Sequence, residues 1–216
     1  MNLRSRTIAL IVSSIALFAI ASCKQATEEL PYYNTPDFTP SWARETHINI
    51  DTLHRIAHFA FFDQTGATIT DKTYGGKLCV ANFFFTTCSG ICPKMTNNLS
   101  GVAKTFANNN DVMFASFSVT PQIDSVAQLA SYAATHKIDY RRWHLLTGDK
   151  KAIYDLARLS YFAEAEPGVS KDSSEFLHTE HLILVDREGH IRGVYDGTLS
   201  LETERLIADI RTLLKQ

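Results

Sequence analysis

The 216-residue chain has no cluster of lysine or arginine. Its 21 basic and 23 acidic side chains leave a formal charge of −2, so the electrostatic footprint of a nucleic-acid binder is absent and that class is excluded. The apolar run from Ile8 to Ile20 is too short for an ordinary membrane span. No glutamate or second histidine stands at the spacing of a hydrolytic zinc site. The family pattern of a peroxidatic cysteine flanked by threonine and arginine is also not evident. What is present is 45% hydrophobic and 20% charged residues, ordinary for one soluble globular core with appendages, and four cysteines: Cys23, Cys79, Cys88 and Cys92.

Arg4 and Arg6 precede the apolar run, which meets Ala21 and Ser22 before Cys23. Residues 1–22 therefore read as a signal peptide. I-A-S-C resembles the bacterial lipobox, in which the cysteine becomes the lipidated first residue of the mature protein. An uncleaved anchor helix with Cys23 unmodified is the alternative. Either arrangement puts the folded part outside the cytoplasm and ties it to a membrane. In an oxidising compartment, neighbouring thiols close into a disulfide unless metal or a reductase protects them. Residues 23–46 carry Pro31, Pro36 and Pro40 without sustained periodicity and read as a tether. Tyr32, Tyr33, Phe38 and Trp42 are costly to leave bare, so part of the tether is expected to pack on the domain, residues 47–216.

Chemistry concentrates in Val80 to Met95, V-A-N-F-F-F-T-T-C-S-G-I-C-P-K-M. A β-branched and aromatic run suits a buried strand, and Pro93 suits the first turn of a helix. Cys88 and Cys92 then stand between strand and helix, four residues apart. Their sulfurs can close on one ion or on each other, and a helix N-terminus favours thiolate. A solvent-protected structural disulfide is the plain alternative. Cys79 alternates with Ala81, Phe83 and Phe85 and reads as a buried small apolar side chain.

Elsewhere the pattern alternates. D-Q-T-G separates two short extended runs, Ile56 to Phe62 and Ala67 to Thr70, as an opening hairpin. Met95, Leu99, Val102, Ala103 and Phe106 mark the core face of the helix that follows the cysteines. Val112 to Val119 is a strand, and Asp124 or Ser125 caps a helix running to about His136. Trp143 to Leu146 is another strand, and Asp149 caps a helix through Leu159. Tyr161 to Leu177 is a long loop. D-R-E-G-H joins a hairpin of His181 to Val185 and Ile191 to Tyr195, and Leu201 to Leu214 is a closing helix. This order predicts an α/β thioredoxin-like fold with an extra N-terminal β-hairpin and a C-terminal hairpin plus helix.

Four ordered segments resemble the Sco/SenC family of copper proteins: C-x-x-x-C-P at Cys88 to Pro93, F-S-V-T-P-Q-I-D at Phe117 to Asp124, W-H-L-L-T-G at Trp143 to Gly148, and His178-Thr179. Two departures are Thr120, where the family usually has aspartate, and Leu177, where an acidic residue usually precedes the histidine. The resemblance implies a metal site of Cys88, Cys92 and His178 holding one copper per chain. It also implies delivery to the dinuclear copper site of cytochrome c oxidase, from a membrane-anchored lipoprotein of the bacterial envelope whose domain faces the periplasm. Thioredoxin-type oxidoreductases carry C-x-x-C and a cis-proline before the strand facing it. Here the cysteine spacing is longer and F-L-H-T-E-H replaces the proline with His178. Two thiolates and an imidazole suit copper as Cu(I) or Cu(II), with Cys2His zinc as the competitor.

His181 would face away from His178 on a strand. Asp172, Glu175 and Glu180 are candidates for the carboxylate that orients the ligand imidazole. Met95 is a weak thioether candidate and reads as core. Two functions stay open: a chaperone that binds and delivers copper, or a thiol-disulfide reductase acting on an acceptor's cysteines through Cys88 and Cys92, a redox pair that closes to a disulfide when oxidised and metal-free.

Overall fold

The structure is a computed structural model that describes residues 29–46, 49–163, 177 and 179–216. Its centre is a seven-stranded sheet in the order β2-β1-β9-β8-β5-β6-β7, with β1 Tyr32–Tyr33, β2 Pro40–Ser41, β5 Leu78–Phe84, β6 Val112–Ser118, β7 Trp143–Leu146, β8 His181–Val185 and β9 Ile191–Asp196. β3 Ala60–Phe62 and β4 Thr68–Thr70 form a separate hairpin. The helices are α1 Ile91–Thr105, α2 Val126–His136, α3 Lys150–Asp155 and α4 Ser200–Leu213, with a single helical turn at Ala43–Thr46. No described helix is long and apolar enough to cross a membrane.

β5 is buried along its whole length, as expected of a strand covered on both faces. Cys79, Ala81 and Phe83 point into one core with Phe61, Ile69, Ile153 and Tyr154. Leu78, Val80 and Phe84 point into the other, with Met95, Leu99 and Val102 of α1 and Leu206, Ile210 and Leu213 of α4. Cys79 is 4% exposed, and burial pushes its thiol pKa up. Met95, at 1% exposed, is core.

β5 pairs in parallel with β6, and β6 with β7, so all three strands end at one pole of the sheet, which we call the upper pole. β8 runs antiparallel to β5, with Val185 opposite Cys79. β8 therefore begins near the upper pole and finishes near the lower one.

The described elements match the sequence reading with three differences, and the loop read from Tyr161 to Leu177 lies mostly outside the described residues. The helix capped by the Asp149 side chain, which accepts from Ala152 N–H, is α-helical only to Asp155 and widens into a π-turn over Leu156–Ser160. The opening strand is shorter, Ala60–Phe62. The segment read as a tether contributes β1 and β2, and β1 pairs with β9 through Tyr33 and Ile191. Strands of two residues have no period to read, and what holds them is a remote side chain, Arg192.

Replacing Cys79 with serine puts a hydroxyl into an apolar core, at a cost of roughly 1–3 kcal/mol if it finds no partner. Cys79→Ser should lower the melting temperature and leave the reactivity of Cys88 and Cys92 unchanged; thiol titration before and after unfolding checks both.

Candidate functional site

The upper pole is organised around Asp124, a fully buried carboxylate (0% exposed). It accepts from Thr86 N–H at 3.2 Å and Thr86 Oγ1 at 2.5 Å, from Ser118 Oγ at 2.5 Å and from Thr120 Oγ1 at 3.1 Å. These donors come from the ends of β5 and β6, so one side chain fixes the exits of two neighbouring strands. No lysine or arginine among the described residues forms an ion pair with it. A buried charge of this kind persists only where hydrogen bonds replace its hydration. Thr120 supplies one of those bonds. A second carboxylate there would face Asp124 at close range.

Thr86 begins the loop that carries Cys88. Cys88 N–H reaches back to Phe85 O at 3.3 Å, and after Gly90 the chain enters α1, placing Cys92 in its first turn. Cys88 is partly exposed, whereas Cys92 is 5% exposed. Both are free thiols.

Their acidities diverge. Partial burial works against the Cys88 thiolate. The Cys92 thiol and the N–H groups of Cys92, Gly90 and Ile91 outweigh it and hold Cys88 below the ordinary thiol value. Burial, followed by the hydrogen bond to Cys88, pushes Cys92 up to about 12. The pair is one more acidic thiol beside one that holds its proton tightly.

Around the thiols, Tyr132 of α2 packs against Phe84 with ring centroids 5.4 Å apart. Its hydroxyl lies 2.9 Å from Thr96 Oγ1, tying α2 to α1. Tyr154 Oη donates to Val119 O at 3.0 Å and accepts from Leu177 N–H at 3.5 Å, while Val119 N–H donates to Phe84 O at 2.9 Å. Leu177 is thereby tied to the end of β6 beside the cysteine loop. Thr179 is buried and its hydroxyl accepts from His181 N–H at 3.2 Å.

His178 itself lies outside the described residues, as do Cys23, Asp172 and Glu175. Of the three candidate carboxylates only Glu180 is described; its carbonyl accepts from Gly197 N–H at 2.8 Å. His181 packs against Phe38 and is held below the ordinary imidazole value by burial. Sequence reasoning missed Tyr132 and Tyr154, because an aromatic at helical spacing signals core and says nothing about its hydroxyl.

The family model SCO1/SenC matches residues 49–215. The chain belongs to the SCO1/SenC family. Among solved structures, this SCO1/SenC chain is similar to a SCO1/SenC family lipoprotein from Bacillus anthracis, with 28% identity, TM-score 0.66 and coverage of 74% of this chain and 95% of that one. It is also similar to BsSco, a member of the Sco family of cytochrome c oxidase assembly proteins in which a disulfide switch has been identified, with 28% identity, TM-score 0.63 and coverage of 75% and 94%. A third is copper-bound ScoI from Bradyrhizobium japonicum, with 26% identity, TM-score 0.59 and coverage of 73% and 98%.

The thiol asymmetry of the SCO1/SenC chain predicts an order of modification. In the reduced, metal-free protein, iodoacetamide should alkylate Cys88 first, with a rate that rises through a midpoint below the usual thiol pKa. Cys92 should lag until the pH approaches 12, and peptide mapping against pH reads both profiles. Asp124→Ala strands several buried donors at once and should destabilise the fold by at least about 3 kcal/mol; denaturant unfolding measures it.

Proposed function

We propose that this chain is a membrane-tethered copper chaperone that holds one copper on Cys88, Cys92 and His178 and passes it by ligand exchange to an acceptor, the dinuclear copper site of cytochrome c oxidase. The observation that carries this reading is the convergence at the upper pole. Cys92 stands in the first turn of α1 and Cys88 in the loop just before it, and the residues on either side of His178 are themselves held, Leu177 through Tyr154 and Thr179 by burial, which supports a third ligand at this pole. Two thiolates hold Cu(I), and an imidazole adds the nitrogen that Cu(II) prefers. The Cys92 thiol and backbone N–H groups, rather than a competing cation, lower the Cys88 thiol and favour the thiolate that copper takes as ligand. The copper-bound relative and the family's part in oxidase assembly support the cargo and the acceptor. The lipoprotein relative supports lipidation at Cys23.

The acidity difference favours a second reading, disulfide reduction. Cys88 thiolate would attack an acceptor disulfide, forming a mixed disulfide and releasing one acceptor thiolate. Cys92 would then lose its proton and attack Cys88 Sγ, expelling the second acceptor thiolate. Two electrons pass to the acceptor, and the Cys88–Cys92 disulfide is left behind.

His178→Ala separates the two. It should retain measurable Cu(I) binding, lose much of its Cu(II) affinity and its thiolate-to-copper absorption, and still cycle its dithiol. Delivery requires that this variant fail to support oxidase assembly; full oxidase activity at limiting copper would make the reductase the better account. Cys88→Ser and Cys92→Ser should each abolish tight copper binding, read as metal content per chain.

A further inference from the structure

At the lower pole the chain enters the domain through a built latch. Arg192, 5% exposed, donates from Nη2 to Leu30 O at 2.6 Å and from Nε to Pro31 O at 3.0 Å. Its Nη1 pairs with Asp186 at 3.1 Å, and the guanidinium lies 3.9 Å from the centre of the Tyr32 ring. Tyr32 in turn meets the buried His190 edge-on, with centroids 5.6 Å apart. Asp186 follows β8 and Arg192 lies near the start of β9, so the latch stands at the pole where β5 begins. Cys88 and Cys92 lie beyond the other end of β5, about 20 Å further along the strand direction.

We propose that this lower pole rests on an anionic lipid surface and that the thiol pair points away from it. The inference rests on the lipid anchor at Cys23. Glu29 lies six residue steps after Cys23, which fully extended reach at most about 20 Å. Turning the thiols onto the bilayer would require the tether to run fully extended along the side of the domain, using all of that reach to span the ~20 Å between the two poles. Charge selects the upright arrangement over a sideways one. Arg55, Lys72, Lys137 and Lys215 are exposed at the lower pole, against exposed Asp111 and Glu188, and basic groups close to anionic headgroups are held there. An acceptor must then present its site well above the bilayer.

The test uses the full lipidated chain in vesicles of phosphatidylethanolamine and phosphatidylglycerol carrying a headgroup-attached acceptor dye. A donor dye is placed either on Cys88 in Cys92→Ser, or on Glu188→Cys in Cys88→Ser/Cys92→Ser; Cys79 is buried in both. The Glu188→Cys label should lose most of its emission to the acceptor, and the Cys88 label should keep most of its own. Equal quenching, or stronger quenching at Cys88, in a chain that co-sediments with vesicles overturns the orientation and leaves the anchor standing. Failure to co-sediment overturns the anchor and the proposal with it. Tyr32→Ala removes a buried ring but keeps the Asp186–Arg192 pair, so the domain should still fold, with a lower melting temperature, while the difference between the labels shrinks; an unchanged difference in the folded variant removes the latch from the account.

Discussion

Asp124 is the constraint on which the upper pole depends. A carboxylate with no accessible surface is tolerable only where its oxygens are met by donors, and here the donors belong to the exits of β5 and β6. Those two strands are parallel, so their carboxyl ends are adjacent without any loop to join them. The buried charge makes that adjacency specific. Displacing Thr86 would strip hydrogen bonds from an ion that water cannot reach, so the start of the cysteine loop has one position. The thiols thus sit on a rigid floor although their own segment is a loop.

Helix geometry then divides the two sulfurs. Cys92 belongs to the first turn of α1 and is drawn under the surface with Met95 and Leu99. Cys88 stands where the N–H groups opening α1 converge. Burial raises one thiol while the bond from Cys92 and the backbone dipoles lower the other, so two cysteines four residues apart, one in the loop and one in the helix, are two different chemical groups. An added charge nearby is unnecessary.

Much of this was legible in the chain. The unbroken apolar run of β5, Pro93 just inside α1, Asp149 as a helix cap and the D-R-E-G-H turn each encode their element locally, and the structure has them. The cysteine pair was visible as a spacing. What could not be read depends on partners remote in sequence. Asp124 shows in the sequence as a turn residue or cap, and nothing local reveals that it meets Thr86, 38 positions away. Tyr132 and Tyr154 sit at core-facing helical positions, so their hydroxyl bonds are invisible to periodicity. The placement of β1 rests on Arg192, more than 150 residues distant. The π-turn after α3 follows a sequence that reads as uninterrupted helix, and we have no local signal for it.

The two margins of the central sheet are closed by different pieces of the same chain. On one side β1 and β2 lie against β9, and the outermost strand is two residues long and contains Pro40, which offers no N–H. On the other, Phe62 of the β3–β4 hairpin exchanges backbone hydrogen bonds with Thr147, just past β7. An exposed strand margin is a template for pairing with another chain. By covering both margins with its own segments, the chain narrows the route by which neighbouring copies would zip into intermolecular sheets, and the stretch of chain ahead of the domain core serves as part of that cover.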